Sequence, residues 1–211
     1  MTLATKTLAT KTRRRESGAV LLIALCLLIV ILLLGAAAAQ LALQGERTAR
    51  GERDRQMAFQ AAEEALMDAE NDIEGGPAAP GRSATFAPDS AQGFVSGCGT
   101  GADLGLCLGA GEGEPPVWQS VDLADAAPET ARSVPYGAFT GAAMPTGEGL
   151  LPFRRPRYII ELLPFAQEGE AAADAAPRYL YRVTAIGFGA RDGTQVVLQS
   201  IYRKRPQGGD K

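Results

Sequence analysis

The stretch AVLLIALCLLIVILLLGAAAA, from Ala19 to Ala39, decides the fold, because twenty-one consecutive residues carry no charge. At a rise of about 1.5 Å per residue, a helix of that length covers roughly 30 Å, the thickness of a bilayer's hydrocarbon core. A helix satisfies its own backbone groups, so lipid is a tolerable solvent for it. Just before the run stand Arg13-Arg14-Arg15 and Ser17-Gly18. Before those comes a duplicated pentapeptide, Thr2 to Lys6 and Thr7 to Lys11, with no apolar face to bury. Residues 1–18 therefore read as a dispensable leader facing the cytoplasm. A conventional signal peptide fits less well, since its apolar core would be shorter and would end in a small-residue cleavage site.

Moving outward, the helical pattern continues past the apolar run. No proline occurs before Pro77, and helix formers dominate from Gln40 to Glu74. Ala58, Ala62, Ala65, Ala69 and Ile73 recur at steps of three and four, with Leu66 beside them. Glu63, Asp68 and Glu70 are expected on the other side. The reading is a transmembrane part over 19–43 and an amphipathic part over 44–74, about 84 Å in all if helical throughout. Gly35, Gly45 and Gly51 are the expected points of bending. Gly75-Gly76 supply the cap, and Pro77 cannot continue the helix.

Residues 75–156 are crowded with Gly, Pro, Ala and Asp and predict ordered loops with few regular elements. Trp118, in PPVWQSVDL, is expected to anchor these loops by apolar contact. Cys98 and Cys107 enclose a polar, Gly-rich stretch, CGTGADLGLC, whose spacing is not that of a CxxC zinc or redox site. A disulfide there would offset weak local packing and contribute about 2.5 to 3 kcal/mol. It would also place the bulk of the chain in an oxidising compartment. That argument sets the orientation, because Arg47, Arg50, Arg53 and Arg55 after the run nearly match the basic residues before it. Cys26, inside the run, reads as inert.

The last third alternates differently. Arg157 to Leu163 (RYIIELL), Arg178 to Ile186 (RYLYRVTAI) and Thr194 to Tyr202 (TQVVLQSIY) read as strands within a segment 157–205, followed by a tail 206–211. Gly187 to Gly193 (GFGARDG) makes the last two a hairpin, and one face of the final strand can pack on the amphipathic helix. The fold class is α+β: a long N-terminal helix on a C-terminal antiparallel sheet, with a loop-rich middle.

Charge and composition narrow the function. The formal charge is −3, yet the first eighteen residues carry +4, so the remainder stands at −7 and is a poor default partner for nucleic acid. There is no histidine, the commonest general base and metal ligand. Gly97 to Gly101 (GCGTG) neither follows a strand nor opens a helix, so it fails as a phosphate loop. Arg154, Arg155 and Arg157 are the nearest approach to a binding cluster, and they read as a solvated face. No catalytic, cofactor or metal residue is implied.

A short basic leader ending in Gly, a span beginning at the next residue, an amphipathic helix and a C-terminal sheet together resemble type IV prepilins. ARGERDRQMAFQAAEEALMDAE (Ala49 to Glu70) is similar to the segment by which the PilX family of minor pilins is known. YRVTAIGFGARDGTQVVLQSIYRK (Tyr181 to Lys204) resembles that family's closing hairpin. The resemblance implies cleavage by prepilin peptidase between Gly18 and Ala19, methylation of the new N-terminus, and extraction by the assembly machinery from the inner membrane into a fibre. The implied partners are other minor pilins, the major pilin and the lipid bilayer. A Gly before the cut lets the backbone lie extended in a protease cleft. Two positions depart from most pilins: Ala19 stands where Phe is usual, and Ile23 stands at the fifth mature position, where Glu is usual. In a fibre that Glu pairs with a neighbour's N-terminal amine across an apolar core, so its absence suits a place at or near the tip. A minor pseudopilin of type II secretion shares leader and helix and is the alternative, as is an adhesive tip module.

Overall fold

The computed structural model describes residues 18–75, 82–165 and 178–204. Residues 1–17, the cap candidates Gly76 and Pro77, and the tail 206–211 lie outside them. The chain divides into two units, Met1–Ala49 and Arg50–Lys211. In the first unit the described residues from Ala19 onward form the start of α1, a helix that runs Ala19–Glu74. Val20 to Leu34 leave their large apolar side chains open. Among the described residues, α1 is the one helix long and apolar enough to cross a membrane. It ends at Gly75, whose φ of 82° lets its N–H close on the Asn71 carbonyl at 2.9 Å.

The second unit is built on a mixed sheet. Three long strands carry it: β3 (Arg157–Phe165), β4 (Arg178–Phe188) and β5 (Gln195–Tyr202), paired antiparallel in that order. The three expected strands pair as read from the sequence, and on the other side of β3 the sheet becomes mixed. There β1 (Leu106–Leu108) pairs parallel, in register Leu106 with Ile160, and β2 (Val134–Pro135) pairs antiparallel with Tyr158 and Arg157. These short strands come from the loop-rich middle, whose other regular pieces among the described residues are two 3-10 turns and a one-turn helix α2 (Val117–Ser120). A three-residue strand has too little alternation to announce itself in so Gly-rich a segment.

Burial explains why β3 and β4 read as near-continuous apolar runs: both faces are covered. On one face Tyr158, Ile160, Leu162, Tyr181, Val183 and Ala185 meet Ala65, Ala69 and Ile73 of the helix, with Phe86 and Phe94 wedged between. Phe86 stands edge-on to both Phe94 and Tyr181, at 5.9 and 5.5 Å between ring centres, an arrangement that the ring quadrupoles favour. On the other face Ile159, Ile186 and Phe188 lie under the disulfide, Val117, Leu123 and, half-buried, Trp118. Trp118 is thus the apolar anchor expected of it. The middle segment has a structural task, which is to roof the sheet face that the helix leaves open.

Helix and sheet approach each other closely at Gly187. A β-carbon there would overlap the Ala58 carbonyl and the Ala62 nitrogen. The alanine stripe therefore does more than exclude water, since any larger side chain would hold β4 away from the helix backbone. β5 is the edge strand. Val196, Leu198 and Tyr202 are half-buried, while Val197 and Ile201 remain exposed.

Candidate functional site

The helix has two faces with different work. Its inner face carries the predicted stripe, Ala58, Ala62, Ala65, Ala69 and Ile73, all without exposure. Three aspartates that the periodicity did not assign to this face share it: Asp54, Asp68 and Asp72. Asp68 was expected to point away, and the structure corrects this. Each carboxylate is kept by donors that come from a different stretch of chain, which is what a buried carboxylate requires.

Asp54 accepts the Ala190 N–H at 2.6 Å and the Thr194 hydroxyl, and so holds the β4–β5 turn. Burial works to raise its pKa, but those donors and the backbone at Arg191 outweigh burial and hold the carboxyl below its usual range. Asp68 accepts the Gly137 N–H at 2.7 Å and the Thr140 hydroxyl, fixing the loop after β2. Here burial prevails over the same kind of donors, the Asp72 charge adds to it, and the pKa is raised. Asp72 is paired with Arg82 at 2.8 Å and accepts the Tyr158 hydroxyl at 3.0 Å. Arg82 also donates to the carbonyls of Ala102 and Leu104 and lies over the Phe139 ring at 3.7 Å. One guanidinium thus joins helix, loop and ring.

The outer face of the same segment is open. Phe59 is 43% and Met67 59% exposed, and Met67 borders a shallow groove with Gln60, Glu63, Glu64 and Glu70. Glu64 is exposed, and its charge adds to the burial that raises the pKa of the Tyr136 hydroxyl. Exposed apolar side chains among carboxylates on an open helix face suit contact with a protein surface rather than a small ligand. Among the described residues no group of three or more Cys, Asp and Glu is placed to hold a metal ion.

The other expected residues fall as follows. Gly18 is the first described residue, Ala19 opens α1, and Ile23 lies on α1 at 59% exposure. Cys26 is a free, exposed thiol. Cys98 and Cys107 are joined as a disulfide. Cys107 sits on β1, so the bridge ties a loop to the sheet rather than loop to loop. The arginine cluster is not a solvated face. Arg157 is buried and donates to the Ser133 hydroxyl at 2.7 Å. Arg154 donates to the Ala124 carbonyl at 2.8 Å and covers the Phe188 ring at 3.9 Å. Only Arg155 of the three is exposed.

Comparison with known protein families turns this architecture into an assignment. A family model described as PilX N-terminal matches residues 17–66, and one described as type IV pilus assembly protein PilX, C-terminal, matches residues 103–204. Together they take in the head of α1 and the whole sheet. The chain belongs to the PilX family of type IV pilus assembly proteins. No curated protein matches the chain, and no solved structure does.

In this PilX-family chain the stretch between the two matches holds Asp68, Asp72, Arg82 and Cys98, so much of the clamp between helix and loops is built outside the matched segments. A signal for the aspartates exists in the sequence. Asp54 lies four residues before Ala58, and Asp72 lies seven after Ala65, both in step with the stripe. Donors on distant segments, invisible to periodicity, hold them in.

Proposed function

We propose that this protein is a minor pilin that primes assembly of a type IV pilus and sits at or near its tip. Family membership supports a structural role in pilus assembly and gives no enzymatic part to assign. The finer reading rests on one observation: Ile23, five residues into the helix that starts at Ala19, is aliphatic and open to its surroundings where most pilins carry Glu. A subunit without that carboxylate makes no ion pair with the amine of a subunit above it, and at the tip none is needed.

In this reading prepilin peptidase cuts between Gly18 and Ala19 and the new N-terminus is methylated. The helix anchors the protein once in the inner membrane, with its N-terminus in the cytoplasm and its disulfide-bonded unit in the periplasm. Other minor pilins and then the major pilin dock against the outer helix face around Phe59 and Met67, since the inner face is consumed within the subunit. The test is N-terminal sequencing of the membrane-extracted protein together with surface pili in a deletion strain. The expected sequence starts at Ala19, and pili are lost and restored by the wild-type copy. A mature protein starting at Met1, or normal piliation in the deletion strain, would defeat the proposal. Restored secretion without any effect on pili would instead favour a type II secretion pseudopilin.

A further inference from the structure

β5 ends the sheet. Among the described residues β4 is its one strand neighbour, and no loop backbone hydrogen-bonds to Val196 through Ile201 on the far side. Folded proteins usually blunt such an edge with a charge, a proline, a bulge or a very short strand. β5 has none of these. Its eight residues, QVVLQSIY, hold no charge and no proline, and its register with β4 runs unbroken from Tyr202 opposite Tyr181 to Gln195 opposite Phe188.

Both faces of the sheet are unfinished at this edge. The roof over Ile159, Ile186 and Phe188 does not reach across β5, and Val197 and Ile201 on that face stay 46% and 58% exposed. On the helix face, Ser200 lies opposite Val183 with its hydroxyl buried and without a hydrogen-bond partner among the described residues. A buried hydroxyl calls for such a partner.

These groups specify what fits. A row of backbone amides and carbonyls is matched by an extended chain. Val197 and Ile201 are matched by apolar side chains at alternate positions of that chain, and Ser200 by a hydroxyl on its other face, as in cross-strand pairs of Thr and Ser. A second copy of this protein is disfavoured as the occupant. Antiparallel pairing of two β5 edges has its two-fold axis normal to the sheet, which turns the helix segments packed on the two sheets antiparallel. Subunits joined in series along a fibre run parallel, so this step rests on the proposed pilus role.

We infer that β5 is a docking edge for an extended, uncharged segment of a different polypeptide, which joins the sheet as a further strand and lays apolar side chains against Val197 and Ile201. The contact is separate from the outer helix face.

The test uses the full chain in detergent and a fluorescent peptide of alternating Thr and Val, as long as β5. Anisotropy should report saturable binding. Val197→Lys with Ile201→Lys puts guarding charges at exposed positions and should weaken binding about tenfold or more, with Trp118 emission and the thermal midpoint unchanged. Glu63→Lys with Glu70→Lys, on the outer helix face, should leave binding as it is. The same peptide methylated at every amide nitrogen has no ladder donors and should not bind. That arm uses the wild-type chain, so it decides even where the lysine variant fails to fold.

Absence of saturable binding overturns the inference, as does binding that survives the lysine pair in a folded chain or survives methylation. Binding lost in the glutamate variant would place the peptide on the helix and overturn it too. A wild-type dimer in light scattering that the lysine pair splits would assign the edge to a second copy, against the inference. The readout needs neither cleavage nor pili, so it can fail while the pilin reading stands, and succeed while that reading fails.

Discussion

Glu161 on β3 and Arg182 on β4 stand opposite each other in register and close an ion pair at 2.6 Å, on the sheet face roofed by the disulfide loop. The carboxylate is fully buried and also accepts the Val117 N–H at 3.1 Å. A strand that reads RYIIELL thus uses its one carboxylate to fasten α2, and Trp118 with it, over the sheet.

Removing the anion alone leaves Arg182 facing a neutral group, and breaking such a buried pair costs about 3 kcal/mol or more. Glu161→Gln should lower the urea midpoint of the full chain in detergent and shift Trp118 emission to the red. Trp118 is the only tryptophan, so the signal reports this roof directly. Glu161→Leu combined with Arg182→Leu should recover much of the loss, because neither charge is then stranded.

Close approach makes a second prediction. Gly187→Ala forces a methyl into the Ala58 carbonyl and the Ala62 nitrogen, which are helix backbone and cannot rotate aside. Separating β4 from the helix should cost about 1 to 3 kcal/mol, the usual scale for overpacking. Gly193→Ala, where a β-carbon meets nothing within 4 Å, should stay within about 0.5 kcal/mol of wild type. Thermal melts of both variants decide the matter, and equal losses would mean that the contact at Gly187 is not tight.

Asp54 and Asp68 should respond oppositely to pH. For Asp54 the folded pKa lies below the ordinary 3.8, so its carboxylate contributes stability that is present above 3.8 and lost as pH falls through the folded value. For Asp68 the folded pKa lies above 3.8, so its contribution is largest below 3.8 and is lost as pH rises through the folded value. Relative to wild type, Asp54→Asn should be most destabilising near neutral pH and converge with it in acid. Asp68→Asn should compare more favourably at neutral pH than in acid. Denaturant midpoints of the three proteins between pH 3 and 7, about the working range of such titrations, would show the crossing, and parallel curves would remove it.

These carboxylates also show where the sequence stops informing. The helix limits, the three long strands and the Cys98–Cys107 bridge could be read because apolar periodicity, β-branched runs and a paired cysteine spacing are local signals. The parallel pairing of Leu106 with Ile160 could not, since it joins residues far apart and β1 has only three residues. Likewise Asp68 is inward because Gly137 and Thr140 reach it, and Arg157 is buried because Ser133 receives it. In each case a polar side chain's place is set by a distant donor or acceptor, and a pattern of hydrophobicity contains no record of that partner.

The division of the helix into a face for its own sheet and a face for other subunits gives the last prediction. Ala62 and Ala65 have no exposure, and an aspartate at either would bury a carboxylate with no donor arranged for it. That costs several kcal/mol or forces a proton onto the group. Asp68, three residues after Ala65, survives burial only because Gly137 and Thr140 meet it. In Ala62→Asp and Ala65→Asp the sheet should separate from the helix, the second unit should become protease-sensitive, and piliation should fall although membrane insertion proceeds. Glu64→Lys changes an exposed side chain, within about 0.5 kcal/mol of wild type, and should leave the unit folded and protease-resistant. It also reverses a charge on the open face beside Met67, so fewer pili are expected for a different reason. Limited proteolysis and pilus counts on the same strains separate the two causes. A stable fold and normal pili in both aspartate variants, with unfolding in Glu64→Lys, would mean that the face assigned to the sheet is the one that meets other subunits.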